Sequence, residues 1–174
     1  MNSDSIVLGG GCFWCIEAVF RRLPGVLRAD SGYAGGTITD PSYEQVCTGG
    51  TGHAEVVRVV YDTDQVSLDA ILDLFWRAHD PTTPDRQGAD VGPQYRSAIF
   101  YRDDAQRSIA EASRTEAQDR FSDPIVTEIT PLDTFYPAEE YHRDFYENNP
   151  RHGYCRVVIE PKLRKAGFDS APQR

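Results

Sequence analysis

Apolar and polar positions along the chain alternate in a way that predicts short strands and helices in turn. Residues Ser5–Gly10 read as a buried strand that ends in glycine. Over residues 12–23 the apolar side chains Phe13, Ile16, Val19, Phe20 and Leu23 fall near one helical face, and Pro24-Gly25 stops that helix. Val26–Tyr33 is strand-like and leads into the loop GYAGGTITDPSY, and the β-branched run Glu55–Tyr61 is the next strand. Ser67 caps a helix whose Leu68, Ile71, Leu72, Phe75 and Trp76 follow the i, i+3, i+4, i+7, i+8 spacing. The stretch HDPTTPDRQGADVGPQYRS reads as a loop, and loops of such length tend to be functional. Beyond it come a strand at SAIFY, a polar helix over residues 103–120, a strand at PIVTEITPL and a short helix over 137–147. After Cys155 the run RVVIEPKLRKAGFDSAPQR is expected to give a strand and then a basic, mobile tail. The alternation of β and α predicts one α/β sandwich with a mixed sheet.

Composition narrows the function classes. The 174 residues fit one domain, and a chain of that size buries about 68–70% of its unfolded surface without needing a disulfide staple. Lys and Arg number 18 against 27 Asp and Glu, a formal charge of −9, which argues against nucleic acid or an anionic membrane as the main partner. No stretch approaches the roughly 18 apolar residues of a membrane span, and MNSDS lacks the positive start of a signal peptide. The expected setting is therefore a reducing cytoplasm, where the four cysteines are thiols with catalytic, metal-binding or packing roles.

The chemistry gathers at IVLGGGCFWCIEAVF. With glycines ending the strand and a helix starting beside Cys12, free N–H groups and the helix dipole favour an anion. A cysteine there can fall from about 8.5 to roughly 3.5–7.5, which generates the nucleophilic thiolate. The alternative is a free buried cysteine packing as a small hydrophobe. Glu55 opens an otherwise apolar strand; apolar surroundings raise a carboxyl pKa and suit it to donate a proton, whereas a solvent-facing position leaves it ordinary. Tyr33 in SGYAGG and Tyr95 in GPQYRS read by default as core or rim residues, and Asp90 as a turn residue.

GGCFW, SGYAGG, YEQVCTGGTGHAEVVRV, HDPTTPDRQGADVGPQYRSAIF and FYPAEEYHRDFYENNP together resemble the A-type peptide methionine sulfoxide reductases, from about residue 6 to residue 155 and in family order. The resemblance implies an α/β (α+β) fold: a single-domain two-layer α-β sandwich with a mixed sheet, ferredoxin-like, over residues 1–174, with the mobile tail starting at about 156. It implies Cys12 as nucleophile, Glu55 as the acid that protonates the sulfoxide oxygen, and Tyr33 and Tyr95 as its hydrogen-bond partners. Phe13 and Trp14 would line a pocket for the substrate methyl group, and Asp90 would hold the substrate main chain. It further implies reduction of the S epimer of methionine sulfoxide, free or in proteins, with thioredoxin as external dithiol and no bound cofactor or metal; a monomer is expected.

A sulfoxide oxygen leaves poorly unless protonated as the thiolate attacks sulfur, so a neutral acid beside Cys12 fits this chemistry. A second thiol then converts the sulfenic acid to a disulfide. Cys155 matches the place of a C-terminal resolving cysteine in many family members and is favoured for its setting between RHG and a flexible tail; Cys15, three residues from Cys12, is the alternative, as is passage through both by exchange. Cys47 reads as structural. Other classes remain open to test: a cysteine hydrolase with His53, His79 or His142 as base, a zinc site built on Cys12 and Cys15, and a sensor that recognises oxidised methionine without turnover.

Overall fold

In a computed structural model that describes residues 2–168, the alternating pattern becomes a six-stranded sheet with helices packed on one face. In chain order the elements are β1 (Ser3–Gly10), α1 (Phe13–Arg21), β2 (Val26–Ala34), α2 (Tyr43–Cys47), β3 (Ala54–Asp62), α3 (Leu68–Ala78), β4 (Arg86–Gln87) and β5 (Asp90–Val91). They continue with β6 (Ser97–Tyr101), α4 (Asp104–Ala117), β7 (Glu128–Pro131), β8 (Tyr136–Pro137), α5 (Phe145–Asn148) and α6 (Glu160–Lys165). The sheet order is β7-β6-β1-β3-β2-β8; β7 runs parallel to β6 and the other neighbours are antiparallel, so the sheet is mixed as expected. β4 and β5 form a separate small hairpin inside the long loop.

Successive strand residues point to opposite faces. Ile6, Leu8, Val57, Val59 and Ile99 therefore join the main core under the helices, while Val7, Val56, Ala98 and Phe100 pack on the other face beneath Leu132 and Phe135. α1 lays Ile16, Val19 and Phe20 onto the first face, and α3 adds Ile71, Leu72, Phe75 and Trp76. Ser67 caps α3 by accepting the Ala70 N–H at 3.1 Å, the role its position predicts.

Three sequence expectations change. The strand expected after Cys155 is helical instead: Cys155–Ile159 forms a π-helical turn that continues into α6. The alternation of VVI hides a helical spacing, since Cys155, Ile159 and Leu163 are fully buried while Val157 stands outside. The segment expected to leave the core as a tail from about residue 156 is thus packed against it, and residues 169–174 of that tail lie outside those described. The helix expected over 137–147 breaks into β8, a 3-10 turn at Glu140–His142 and α5, with Asp144 at φ 51° between the last two. α2 is an addition, made possible by a capping box in which Ser42 and Gln45 satisfy each other's main-chain N–H groups. Among the described residues, no helix is long and apolar enough to cross a membrane.

Candidate active site

The site is assembled where β1 turns into α1. Gly11 adopts φ +95°, and a Cβ there would meet the Gln87 side chain at 2.7 Å, so this turn requires glycine. The turn places Cys12 at the N-cap of α1, its carbonyl accepting the N–H groups of Cys15 (3.1 Å) and Ile16 (3.4 Å). The Phe13 N–H belongs to the first turn, which has no partner within its own helix. It donates to Glu55 Oε1 at 3.1 Å. Glu55 reaches it from β3, on the same face as Val57 and Val59 and directly opposite Tyr33 of β2 in the strand register.

Glu55 is buried, and burial is the main cause that pushes its carboxyl pKa up to about 8; the Phe13 N–H opposes this, and the negative charges of Asp90 and Cys15 add to it. Its second oxygen, Oε2, is buried and has no hydrogen-bond partner among the described residues. The expectation of a carboxyl in apolar surroundings holds, and the solvent-facing alternative does not.

The sulfurs behave differently from the expectation of a simple helix N-terminus. Burial, followed by the adjoining Cys15 and Glu55, raises the Cys12 thiol well above the ordinary range, whereas a hydrogen bond from Cys12 leads in lowering Cys15 to about 7. Lys162 and Tyr154 also favour the Cys15 thiolate. The pair therefore shares one proton near neutrality, with the negative charge resting on Cys15 and Cys12 as the hydrogen-bond donor. The helix dipole is outweighed at Cys12 because burial and a second sulfur act on the same group.

Aromatic side chains enclose this centre. Phe13 is fully buried, 5.7 Å from Tyr33 and 6.2 Å from Tyr43 between ring centroids, so it is a core residue at the edge of the site. Trp14 is half-buried, stacks on Phe145 at 3.7 Å and donates its Nε1–H to His142 Nδ1 at 2.9 Å. The Tyr33 hydroxyl donates to Glu139 Oε1 at 2.9 Å, and Glu139 Oε2 accepts the Tyr43 N–H at 2.9 Å. Burial, together with the neighbouring carboxylates, raises the Tyr95 phenol, as it does Tyr33 and Tyr43, so all three are protonated donors at neutral pH.

Asp90, on β5, accepts the Tyr154 O–H at 2.9 Å, and the same Tyr154 oxygen lies 3.5 Å from Cys15 Sγ. Cys155 is fully buried, and burial leads in pushing its thiol to about 11. Cys47 is exposed at the end of α2, beside Tyr43, so it does not pack the core as a structural thiol would. Both ring nitrogens of His53 and of His79 are engaged elsewhere: His53 with the Gly36 N–H and the Ile38 carbonyl, His79 with the Phe75 carbonyl and Ser97. His142 accepts from Trp14 at Nδ1 and His152 accepts from the Tyr154 N–H, so among the described residues no histidine is hydrogen-bonded to Cys12 as a hydrolase base would be. Among the described residues no group of three or more His, Cys, Asp or Glu is arranged to hold a metal ion.

Sequence reasoning missed Glu139, Tyr43 and Tyr154 as neighbours of the site, and had His142 only as a candidate base rather than as the partner of Trp14. Their only signal was membership in the blocks FYPAEEYH, YEQVC and the run before Cys155, because each meets the site through a contact of about a hundred residues' separation or through a loop.

The sequence matches the family described as peptide methionine sulfoxide reductase over residues 4–173. It is 51% identical over 158 residues to a protein of Saccharolobus solfataricus named peptide methionine sulfoxide reductase MsrA, covering 91% of this chain and 89% of that one. The fold is similar to the reduced form of Mxr1 from Saccharomyces cerevisiae, with a TM-score of 0.84 and 37% identity over 88% of this chain and 89% of that one. It is also similar to Mxr1 in a complex with Trx2, with a TM-score of 0.61 and 29% identity over 80% and 84% of the two chains.

Proposed function

This chain belongs to the peptide methionine sulfoxide reductase family of thiol-dependent oxidoreductases, and from that membership and the site we propose that it reduces the S epimer of methionine sulfoxide, free or in proteins. The observation that carries the reading is Glu55: a buried carboxyl, protonated up to about pH 8, with one oxygen fixed by the Phe13 N–H and the other without a partner, beside the Cys12 sulfur.

In the proposed reaction the proton between the two sulfurs moves to Cys15, and the Cys12 thiolate attacks the sulfoxide sulfur. Glu55 passes its proton from the free Oε2 to the sulfoxide oxygen. The oxygen ends on Cys12 as a sulfenic acid, methionine leaves as the thioether, and the sulfur of Cys12 is oxidised by the two electrons the substrate gains. Neutral Glu55 also withdraws the negative charge that otherwise disfavours a Cys12 thiolate. Among the described residues the Tyr95 hydroxyl meets no hydrogen-bond partner, and it serves as donor to the sulfoxide oxygen. Tyr33 spends its proton on Glu139, so its oxygen accepts from the sulfoxide oxygen once that is protonated. Trp14, held by His142 and Phe145, walls the methyl group, with Phe13 behind it, and Asp90 holds the main chain.

Cys15 attacks the sulfenic acid first: it is in hydrogen-bond contact with Cys12, whereas Cys155 is buried with its thiol pushed to about 11. An S–S bond forms and water leaves; Cys155 then enters by thiol–disulfide exchange, and thioredoxin reduces the final disulfide while its own dithiol is oxidised. The Trx2 complex of the yeast relative supports that last step. The order β6-β1-β3-β2 within the sheet supports a ferredoxin-like, two-layer reading of a single catalytic domain. The charge of −9 supports oxidised proteins rather than nucleic acid or membranes as partners, and four free thiols suit a monomer in the reducing cytoplasm that uses no cofactor beyond the external dithiol.

Reduction of the separated epimers tests the proposal. Wild type should reduce the S epimer, Cys12→Ser should be inactive, and Glu55→Gln should lose ~10²–10⁴-fold. Full activity in Cys12→Ser would remove the mechanism.

A further inference from the structure

Tyr154 stands between the two ends of the substrate path. Its hydroxyl donates to Asp90 Oδ2 at 2.9 Å, lies 3.5 Å from Cys15 Sγ and is within hydrogen-bonding reach of Cys12. Its ring meets the Trp14 ring edge-on at 5.7 Å. The phenol therefore fills the interval that a bound sulfoxide must span, from a main-chain anchor at Asp90 to the reacting sulfur at Cys12. Substrate and Tyr154 cannot occupy it together.

The next residue is Cys155, which is fully buried and opens the π-helical turn Cys155–Ile159. π-turns carry one extra residue per turn, are rare, and recur at functional sites. Tyr154 lies in the helical turn that leads straight into Cys155, and its N–H donates to His152 Nδ1 at 3.2 Å. A pull on the Tyr154 side chain is thus transmitted directly to the Cys155 main chain.

We propose that Tyr154 is a latch displaced by substrate: in the resting enzyme its hydroxyl occupies Asp90 and closes the path to Cys12, and when a substrate main chain takes Asp90, Tyr154 swings out and uncovers Cys155 for exchange. The latch rests on the reading of Asp90 as the main-chain anchor. It makes Tyr154 a positioning residue, and it selects sulfoxides that carry a main-chain N–H able to win Asp90. It also couples arrival of the oxidant to exposure of the later thiol, which otherwise stays buried.

The apparent affinity of a site that is open only part of the time is reduced by the open fraction. Tyr154→Phe, which keeps the ring and removes the donor to Asp90, should lower the KM for N-acetyl-methionine S-sulfoxide amide by about tenfold, the size of one hydrogen bond to a charged group, without raising kcat. The second readout uses Cys12→Ser protein, which cannot turn over. Iodoacetamide labelling of Cys155, followed by peptide mass mapping, should accelerate about tenfold with saturating sulfoxide amide, and should already be fast without it once Tyr154→Phe is added. Asp90→Asn separates the two claims. An unchanged KM when Asp90→Asn is added to Tyr154→Phe, where the latch is already open, would overturn the anchor reading and the latch with it. A raised KM there, with Cys155 labelling indifferent to substrate and to Tyr154→Phe, would overturn the latch alone.

Discussion

At the scale of single residues, the site depends on keeping a carboxyl neutral beside sulfurs that must ionise. Glu55 and Cys15 titrate at about 8 and about 7, in the reverse order from their ordinary values, because burial acts on the carboxyl while the Cys12 thiol stabilises the Cys15 anion. The kcat/KM for the sulfoxide should therefore rise as pH passes about 7, where the sulfur pair loses its first proton, and fall above about 8, where Glu55 loses the proton it delivers. In Glu55→Gln the alkaline limb should vanish with the activity; a limb that persists there belongs to another group. Cys12 stood out in a local pattern, glycines before a helix, and Glu55 as a charge opening an apolar strand whose exposure the pattern left open, whereas Trp14 entered only through the family resemblance. Tyr154 was not legible, since a tyrosine next to a cysteine in a loop says nothing of an aspartate 64 residues away.

At the scale of elements, α1 carries the chemistry and is tied down at both ends. Its N-terminus is held by Glu55 through the Phe13 N–H. Just past its C-terminus, Arg22 pairs with Glu147 of α5 at 2.9 Å, and both side chains are nearly excluded from solvent. Removing one partner of such a buried pair leaves an uncompensated charge, so Glu147→Ala should cost ~3–5 kcal/mol, a fall in Tm of about 10 °C. A calorimetric shift under about 2 °C would show that the pair is not what holds α5 to α1. α1 and α3 were legible because their apolar residues repeat at the helical period and their starts are marked by glycine or serine. The segment after Cys155 was misread because three consecutive β-branched residues imitate a strand. Packing of Ile159 and Leu163 on the core overrides that local preference.

At the scale of the whole molecule, two buried carboxyls link folding to pH. Glu17, bonded to Ser31 Oγ at 3.0 Å, and Glu55 both have pKa values raised by burial to about 8, from an ordinary glutamate value of 4.5. Between those values the folded chain keeps protons that the unfolded chain releases, so stability falls as pH rises from about 4.5 to about 8. Glu17→Gln, which cannot ionise, should melt progressively higher than wild type as pH is raised across that range, by at least ~3 °C at its upper end. Parallel melting curves for the two proteins would mean that Glu17 is ionised in the fold. The sheet's mixed character and its helix-covered face were legible from alternation alone. The order of its strands and the folding-over of the C-terminal helix onto the dithiol were not, because both are set by contacts between distant parts of the chain.

The central claim is that Cys12 takes the oxygen with a proton from Glu55. Its most direct test is a single turnover with the S epimer in Cys15→Ser/Cys155→Ser protein, quenched and mapped by mass. One methionine per chain should form, with one oxygen added at Cys12 and at no other cysteine, and adding Glu55→Gln should slow that turnover ~10²–10⁴-fold. Methionine formed while Cys12 stays a free thiol, or oxygen found on Cys47 instead, would contradict the account.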